Sequence, residues 1–213
     1  MAISFATDFA GIVLSQLVRK GSFCMGCSEN DFMEPARGSI GNAVPDLLAD
    51  IATRQVMTRL GLPPAAGGGG SSKARRFNQD AVLEIATGME RAFYMRTTTM
   101  DYLGNLDGGM IYSLHALLLC DDLAGMLRCL WNGITVDEEQ LAVDLIRSVG
   151  PKGNYLWERH TKDHCRENYW GSRYFGVNFP RSSSKDIPDR ELIERIDDDL
   201  REKIGRASCR ERV

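Results

Sequence analysis

The chain has 213 residues, 43% of them hydrophobic and 26% charged, with a formal net charge of −3. That composition describes an ordinary globular domain or part of a larger one, and it excludes a basic nucleic-acid footprint and a polybasic membrane-surface segment. No apolar run approaches the ~18 residues of a membrane span. The opening Met1-Ala2-Ile3-Ser4-Phe5 lacks the basic and apolar regions of a signal peptide, so a cytoplasmic location is expected.

In chain order the pattern alternates helices with short strands. Residues 9–18 are apolar and helix-like, and residues 23–27 (Phe-Cys-Met-Gly-Cys) form a short apolar run expected to be a buried strand. A polar loop, residues 28–31, follows. Residues 45–60 are the clearest helix: Val44, Leu47, Leu48 and Ile51 share a face, Pro45 suits the first turn, and Gly61 with Pro63 ends it. Residues 62–66 form at most a very short strand, because two prolines fall within them. A run of four glycines, residues 67–70, leads into Ser71-Ser72-Lys73.

Residues 78–95 are again helical, with Val82, Ile85, Met89 and Phe93 as the apolar stripe. Residues 97–103 have the β-branched and aromatic character of a strand, and residues 105–109 that of a turn. Residues 117–131 read as a helix. Thr135-Val136-Asp137-Glu138 reads as a capping box opening a helix that ends at Gly150-Pro151, and residues 189–202 as a charged helix striped by Leu192, Ile196 and Leu200. Strands alternating with long helices predict an α/β fold with a parallel sheet. An open doubly wound sheet and a closed barrel both fit this periodicity. About three strands make an incomplete sheet in either, since a whole (β/α)₈ barrel takes about 250 residues.

The glycine run lets the backbone approach a ligand closely. It matches neither a Walker A loop nor a spaced G-x-G-x-x-G, so a phosphate-binding loop is a weak reading, and a flexible linker is the bland one. Its serines and lysine favour a site loop at the C-terminal end of a barrel strand. Cys24-x-x-Cys27 lies in an apolar strand that sends its two side chains to opposite faces, which favours packing over redox or zinc chemistry. His160-x-x-x-His164 puts two imidazoles on one helix face but lacks the glutamate of a metalloprotease, and its charged neighbours read as a solvated helix, so no metal is expected. The six cysteines read as reduced thiols. His115 reads as structural, and the aromatic residues Tyr155, Trp157, Tyr169, Trp170, Tyr174 and Phe175 as core or interface.

The last ten residues, Ile204-Gly205-Arg206-Ala207-Ser208-Cys209-Arg210-Glu211-Arg212-Val213, resemble a translated sequencing-library adapter. Without them the net charge becomes −5.

Five stretches together resemble the trimethylamine methyltransferase family, including its non-pyrrolysine glycine-betaine members. They are the strand and loop through Gly26; Leu60-Gly61-Leu62-Pro63 leading into the glycine run and Ser71-Ser72-Lys73; residues 105–109; Gly133-Ile134-Thr135-Val136-Asp137 with residues 141–150; and Gly153-Asn154-Tyr155-Leu156 through His160-Thr161 to His164, Arg166 and Glu167. The resemblance covers roughly residues 1–203. Two loops depart from it: Ala74-Arg75-Arg76 stands where the family tends to read Pro-Asp before the glutamine matched to Gln79, and Phe32-Met33-Glu34 where an Asp-Met-Arg-like stretch is expected.

The resemblance implies the C-terminal portion of a (β/α)₈ TIM-type barrel with additional C-terminal helices. Residues 1–134 would be the last β/α units, 135–203 a helical extension and 204–213 a tail foreign to the protein. It implies methyl transfer from a quaternary or tertiary amine, betaine-like or trimethylamine, to the Co(I) of a corrinoid carried by a partner protein. No membrane or nucleic acid is involved, and a homo-oligomer is expected for the full-length protein. No pyrrolysine is written in this sequence, which favours a quaternary amine, since that leaves as a neutral tertiary amine without prior activation. A cationic trimethylammonium wants aromatic faces and carboxylates. The expected substrate-binding residues sit at strand ends: Glu29, Asn30 and Asp31; Ser71, Ser72 and Lys73; Asn105 and Asp107. The alternative reading is a non-catalytic homologue that keeps only the docking surface for a corrinoid protein.

Overall fold

Asn78 precedes a sixteen-residue stretch free of proline, and its side chain accepts a hydrogen bond from the Ala81 amide at 3.0 Å, capping the helix Gln79–Tyr94. The structure, a computed structural model, describes residues 2–26, 32–36, 38–40, 44–63, 69–166, 170–175 and 191–210. Within them the helices are α1 (Ala2–Val18), α2 (Val44–Arg59), α3 (Gln79–Tyr94), α4 (Leu114–Asn132), α5 (Glu138–Leu141), α6 (Val143–Val149), α7 (Arg159–His164) and α8 (Leu192–Arg210). The strands are β1 (Met33–Glu34), β2 (Ser39–Ile40), β3 (Asn105–Leu106) and β4 (Ile111–Tyr112). The described residues form a helix-rich mixed α/β fragment. Two compact units divide it: Met1–Cys120 with Ile196–Val213, and Asp121–Arg195.

The regular strand pairs differ from the expected parallel sheet. β1 pairs with β2 and β3 with β4, both antiparallel, with Met33 opposite Ile40 and Asn105 opposite Tyr112. A parallel relation is nevertheless present in the first unit. The Gly70 and Ser72 amides donate to the Asp101 and Asn105 carbonyls at 3.2 and 2.9 Å. In return the Gly104 and Gly108 amides donate to the Gly70 and Ser72 carbonyls at 3.1 and 3.3 Å. The two segments run in the same direction and exchange bonds on alternate residues of the first, as parallel neighbours do. They form no regular ladder, because the second advances four residues while the first advances two. Tyr102 and Gly104, at φ of 55° and 84°, coil the second segment. That is why residues 97–103 fail as the expected strand and the short β3 begins only at Asn105.

With α3 between them, the two segments make a strand-like, helix, strand-like unit, continued by α4. Packing here depends on glycine. A Cβ on Gly88 of α3 would lie 2.6 Å from the Gly69 carbonyl oxygen, and one on Gly70 would lie 2.8 Å from the Leu103 Cα. Backbone meets backbone at both points, so the glycine run and the helix are matched in shape.

The buried face of α3 is Ala81, Ile85, Met89 and Ala92, a stripe turned slightly from the expected one, with Val82 and Phe93 only half-buried. Full burial of Ile85 or Met89 contributes roughly 1.5–3 kcal/mol each. Leu106, Ala116, Leu119, Cys120 and Ile196 are also buried in the first unit.

Other expectations shift in detail. α1 starts earlier than expected, and Gly26 makes an isolated bridge where a strand through residue 27 was expected. At residues 62–63 no strand forms. The cap of α5 is Asp137, whose side chain accepts from the Gln140 amide at 2.7 Å, rather than Thr135. Ala142, left-handed at φ 47°, breaks the expected single helix into α5 and α6. Trp157 is 77% exposed and Tyr174 fully buried, so the aromatic residues do not form one core.

Candidate functional site

The parallel contact brings together two of the three expected groups of site residues, both within the first unit. Ser71, Ser72 and Lys73 lie on one segment; Asn105 and Asp107 lie on its neighbour. The Ser72 amide donates to the Asn105 carbonyl at 2.9 Å, and the Asp107 amide to the Ala74 carbonyl at 3.0 Å. The third group, Glu29, Asn30 and Asp31, lies outside the described residues. Phe32, which follows it, is held by α2: its amide donates to Oδ1 of the buried Asp46 at 2.5 Å.

Ser72 is the centre of the arrangement. It is 1% exposed, and its hydroxyl donates to Glu84 Oε2 of α3 at 2.6 Å while accepting from the Ala74 amide at 2.9 Å. The Lys73 amide donates to the same Glu84 oxygen at 2.8 Å. With both backbone groups also engaged, Ser72 holds the loop, and Ser71, Lys73, Asn105 and Asp107 remain half-buried around it. Asp107 adopts a left-handed φ of 51°, tolerable for aspartate, at the start of a 3₁₀ turn completed by Gly108 and Gly109. Its Oδ1 meets Arg75 Nε at 3.4 Å. Ser71, Lys73, Asn105 and Asp107, bearing a hydroxyl, an ammonium, an amide and a carboxylate, thus lie as a rim on two adjoining backbone segments.

Behind the rim the unit is apolar. The buried Cys120 thiol donates to the Gly70 carbonyl at 3.5 Å, and burial pushes its pKa up to about 11, so it stays protonated. His115 Nε2 lies 2.7 Å from Asp197 Oδ1, and its ring stacks on Phe77 at 5.7 Å, which is a structural setting.

A cavity of about 750 Å³ lies between α2 and α3, lined by Arg54, Arg59, Arg91, Tyr94 and neighbouring residues. Arg91 and Tyr94 lie seven and ten residues beyond Glu84, roughly 10–15 Å along the helix. The cavity is therefore distinct from the rim.

In the second unit His160 and His164 stack at 4.5 Å. His160 Nε2 meets the Glu139 carbonyl at 2.7 Å and His164 Nδ1 the Gln140 amide nitrogen at 3.1 Å. Among the described residues no cluster of three or more His, Cys, Asp or Glu is placed to hold a metal ion. None of the described helices is long and apolar enough to cross a membrane.

Sequence reasoning missed Glu84 and Asp46. Both are carboxylates near the start of a helix that follows an expected site loop, and that position was the available signal.

The sequence profile described as Trimethylamine methyltransferase (MTTB) matches residues 1–182. A glycine betaine methyltransferase of Desulfitobacterium hafniense (strain Y51) is 29% identical over 171 residues, 79% of this chain and 36% of its own length. A trimethylamine methyltransferase MttB of D. hafniense (strain DSM 10664 / DCB-2) is 28% identical over 87% of this chain and 38% of its own. MttB of Methanosarcina thermophila is 29% identical over 85% of this chain and 38% of its own. The chain spans less than two fifths of the length of these relatives.

Proposed function

Because the chain belongs to the trimethylamine methyltransferase family, we propose that the whole protein takes a methyl group from a quaternary or tertiary amine, betaine-like or trimethylamine, and delivers it to a corrinoid carried by a partner protein. The observation that carries this reading is the family match over residues 1–182. The gathered rim of Ser71, Lys73, Asn105 and Asp107 supports it in geometry. The barrel is likewise a proposal: the strand-like, helix, strand-like unit is what a segment of a (β/α)₈ barrel would contain, with its site at the C-terminal strand ends. On that reading residues 1–134 are the last barrel units, 135–203 a helical extension and 204–213 a foreign tail, and the full-length protein is cytoplasmic and homo-oligomeric.

On this reading the corrinoid belongs to the partner, and the rim holds the amine. When docked, the reduced corrinoid supplies the nucleophile. This chain's part is then to hold the amine and exclude competing geometries. The Asp107 carboxylate and those of Glu29 and Asp31 would neutralise the cation, and Asn105 and Ser71 would fix its polar end. A carboxylate-bearing betaine would also meet the Lys73 ammonium. No general base is required, because a quaternary nitrogen carries its charge before transfer.

The test is to incubate the full-length protein with reduced corrinoid protein and a panel of quaternary and tertiary amines. Demethylation of at least one amine, coupled to a change in corrinoid absorbance, is expected. Binding of the partner with no demethylation of any amine would instead establish the non-catalytic docking reading.

A further inference from the structure

We infer that Glu84 is a positioning residue of the amine site, acting through Ser72 and Lys73; this rests on the methyltransferase reading above. One oxygen, Oε2, accepts both the Ser72 hydroxyl at 2.6 Å and the Lys73 amide at 2.8 Å. Hydrogen bonds to a charged acceptor are about twice as strong as neutral ones, and two converging on one oxygen fix direction as well as distance. The Ser72 hydroxyl in turn accepts from the Ala74 amide at 2.9 Å, so three consecutive residues are set by one helix side chain.

These residues are where the glycine run ends. The glycines bring the chain close to α3, with Gly69 against Gly88, but give the loop no side chain with which to fix itself. Glu84 sits four residues before Gly88, one turn back along α3, and supplies the missing constraint. The consequence reaches across the parallel contact: Ser72 carries the backbone bonds to Asn105 and Gly108, and Asp107 lies between those two positions. A loosened Ser72 therefore releases both halves of the rim.

The experiment uses the full-length protein with its corrinoid partner and an amine that the wild type demethylates, comparing Glu84→Ala and Glu84→Gln. Glu84→Ala is expected to lower kcat/KM at least tenfold, mainly through KM for the amine, with Tm within a few degrees of the wild type. The Lys73 and Ala74 amides should exchange hydrogen faster in that variant. Glu84→Gln, whose amide oxygen still accepts both donors, should recover protection and most of kcat/KM. The inference is overturned if Glu84→Ala keeps wild-type kcat and KM, or if its activity falls only in proportion to the folded fraction. A wild type that demethylates no amine sinks the methyltransferase reading, and this inference with it. An active wild type beside an equally active Glu84→Ala sinks this inference alone.

Discussion

Two loops of this molecule, one in each unit, are tied down by the same hydrogen-bond pattern and put to different ends. In the first, the Ser72 hydroxyl donates to Glu84, the Lys73 amide donates to the same carboxylate, and the Ala74 amide donates back to Ser72. In the second, the Ser172 hydroxyl donates to Asp122, the Arg173 amide reaches Asp122 Oδ1 at 3.1 Å, and the Tyr174 and Phe175 amides return to Ser172 at 2.9 Å. What differs is the flanks. Around Ser172 they are aromatic: Tyr174 is fully buried, Trp170 lies 6.4 Å from Phe175, and a Cβ on Gly125 of α4 would meet the Trp170 ring nitrogen at 2.7 Å. Around Ser72 they are glycines on one side and half-buried polar residues on the other. The lesson is that a serine–carboxylate tie specifies rigidity, and the neighbouring side chains decide whether the rigid loop is buried as an anchor or presented as a rim.

The comparison breaks first at Asp122, where the largest effect is expected. Asp122 is 4% exposed and Ser172 8%, and Asp122 also meets Arg173 Nε at 3.2 Å. Burial pulls the Arg173 guanidinium down, but hydrogen bonds to Asp121 and Asp122 outweigh it and hold its pKa above the ordinary value. Asp122→Ala strands the serine hydroxyl and the Arg173 amide, and should cost about 3 kcal/mol in urea denaturation. The figure is at the low end for a broken buried pair, because Arg173 is 39% exposed and keeps Asp121 at 2.7 Å. A loss under 1 kcal/mol would mean that the aromatic flanks, not the tie, anchor this loop.

A second test sharpens the contrast from the side of the first loop, whose backing is apolar although its front is polar. The Cys120 thiol, with its pKa raised to about 11 against an ordinary 9.0, ionises later in the fold than in the unfolded chain. Its contribution to stability is therefore fully present below pH 9 and is lost as pH climbs from 9 toward 11, by about 2 kcal/mol at the upper limit. Denaturation midpoints measured between pH 8 and 11 should show this loss in the wild type and not in Cys120→Ala. Equal slopes would place the thiol in contact with water.

Helix positions and the direction of the chain were legible in the sequence; strand identity and the ties were not. Helix α3 announces itself through its Asn78 cap and apolar stripe, whereas α2 forms where expected but buries Asp46, Ala49, Thr53 and Met57 and leaves Val44 and Leu48 of its expected apolar face exposed. Strands alternating with helices imply parallel neighbours, and the segments around residues 70–72 and 101–108 do run in the same direction. Residues 97–103 looked like a strand by side-chain type, yet the left-handed Tyr102 and Gly104 decide otherwise, and a tyrosine gives no advance sign of a positive φ. Glu84 was missed for a different reason. Its partners are a main-chain amide and a hydroxyl eleven and twelve residues away, and a lone glutamate on a helix reads as solvated charge until the loop is seen folded back on it.

Arg75 is where the smallest effect is expected, and its smallness is informative. Its guanidinium meets Asp107 at 3.4 Å across the rim, a single link beside the two backbone bonds that Ser72 carries between the segments. The two kinds of link also differ in strength. The Arg75 side chain is 84% exposed, so water and salt screen the pair, and holding a long side chain in one geometry costs about as much as the attraction returns. Arg75→Ala should change stability by less than about 0.5 kcal/mol, against the tenfold loss in kcat/KM expected for Glu84→Ala. It should also leave the left-handed Asp107 in place, since the Asp107 amide is held by the Ala74 carbonyl rather than by the arginine. A larger effect, disappearing in high salt, would show that charge across the rim, and not the buried tie beneath it, aligns the two segments.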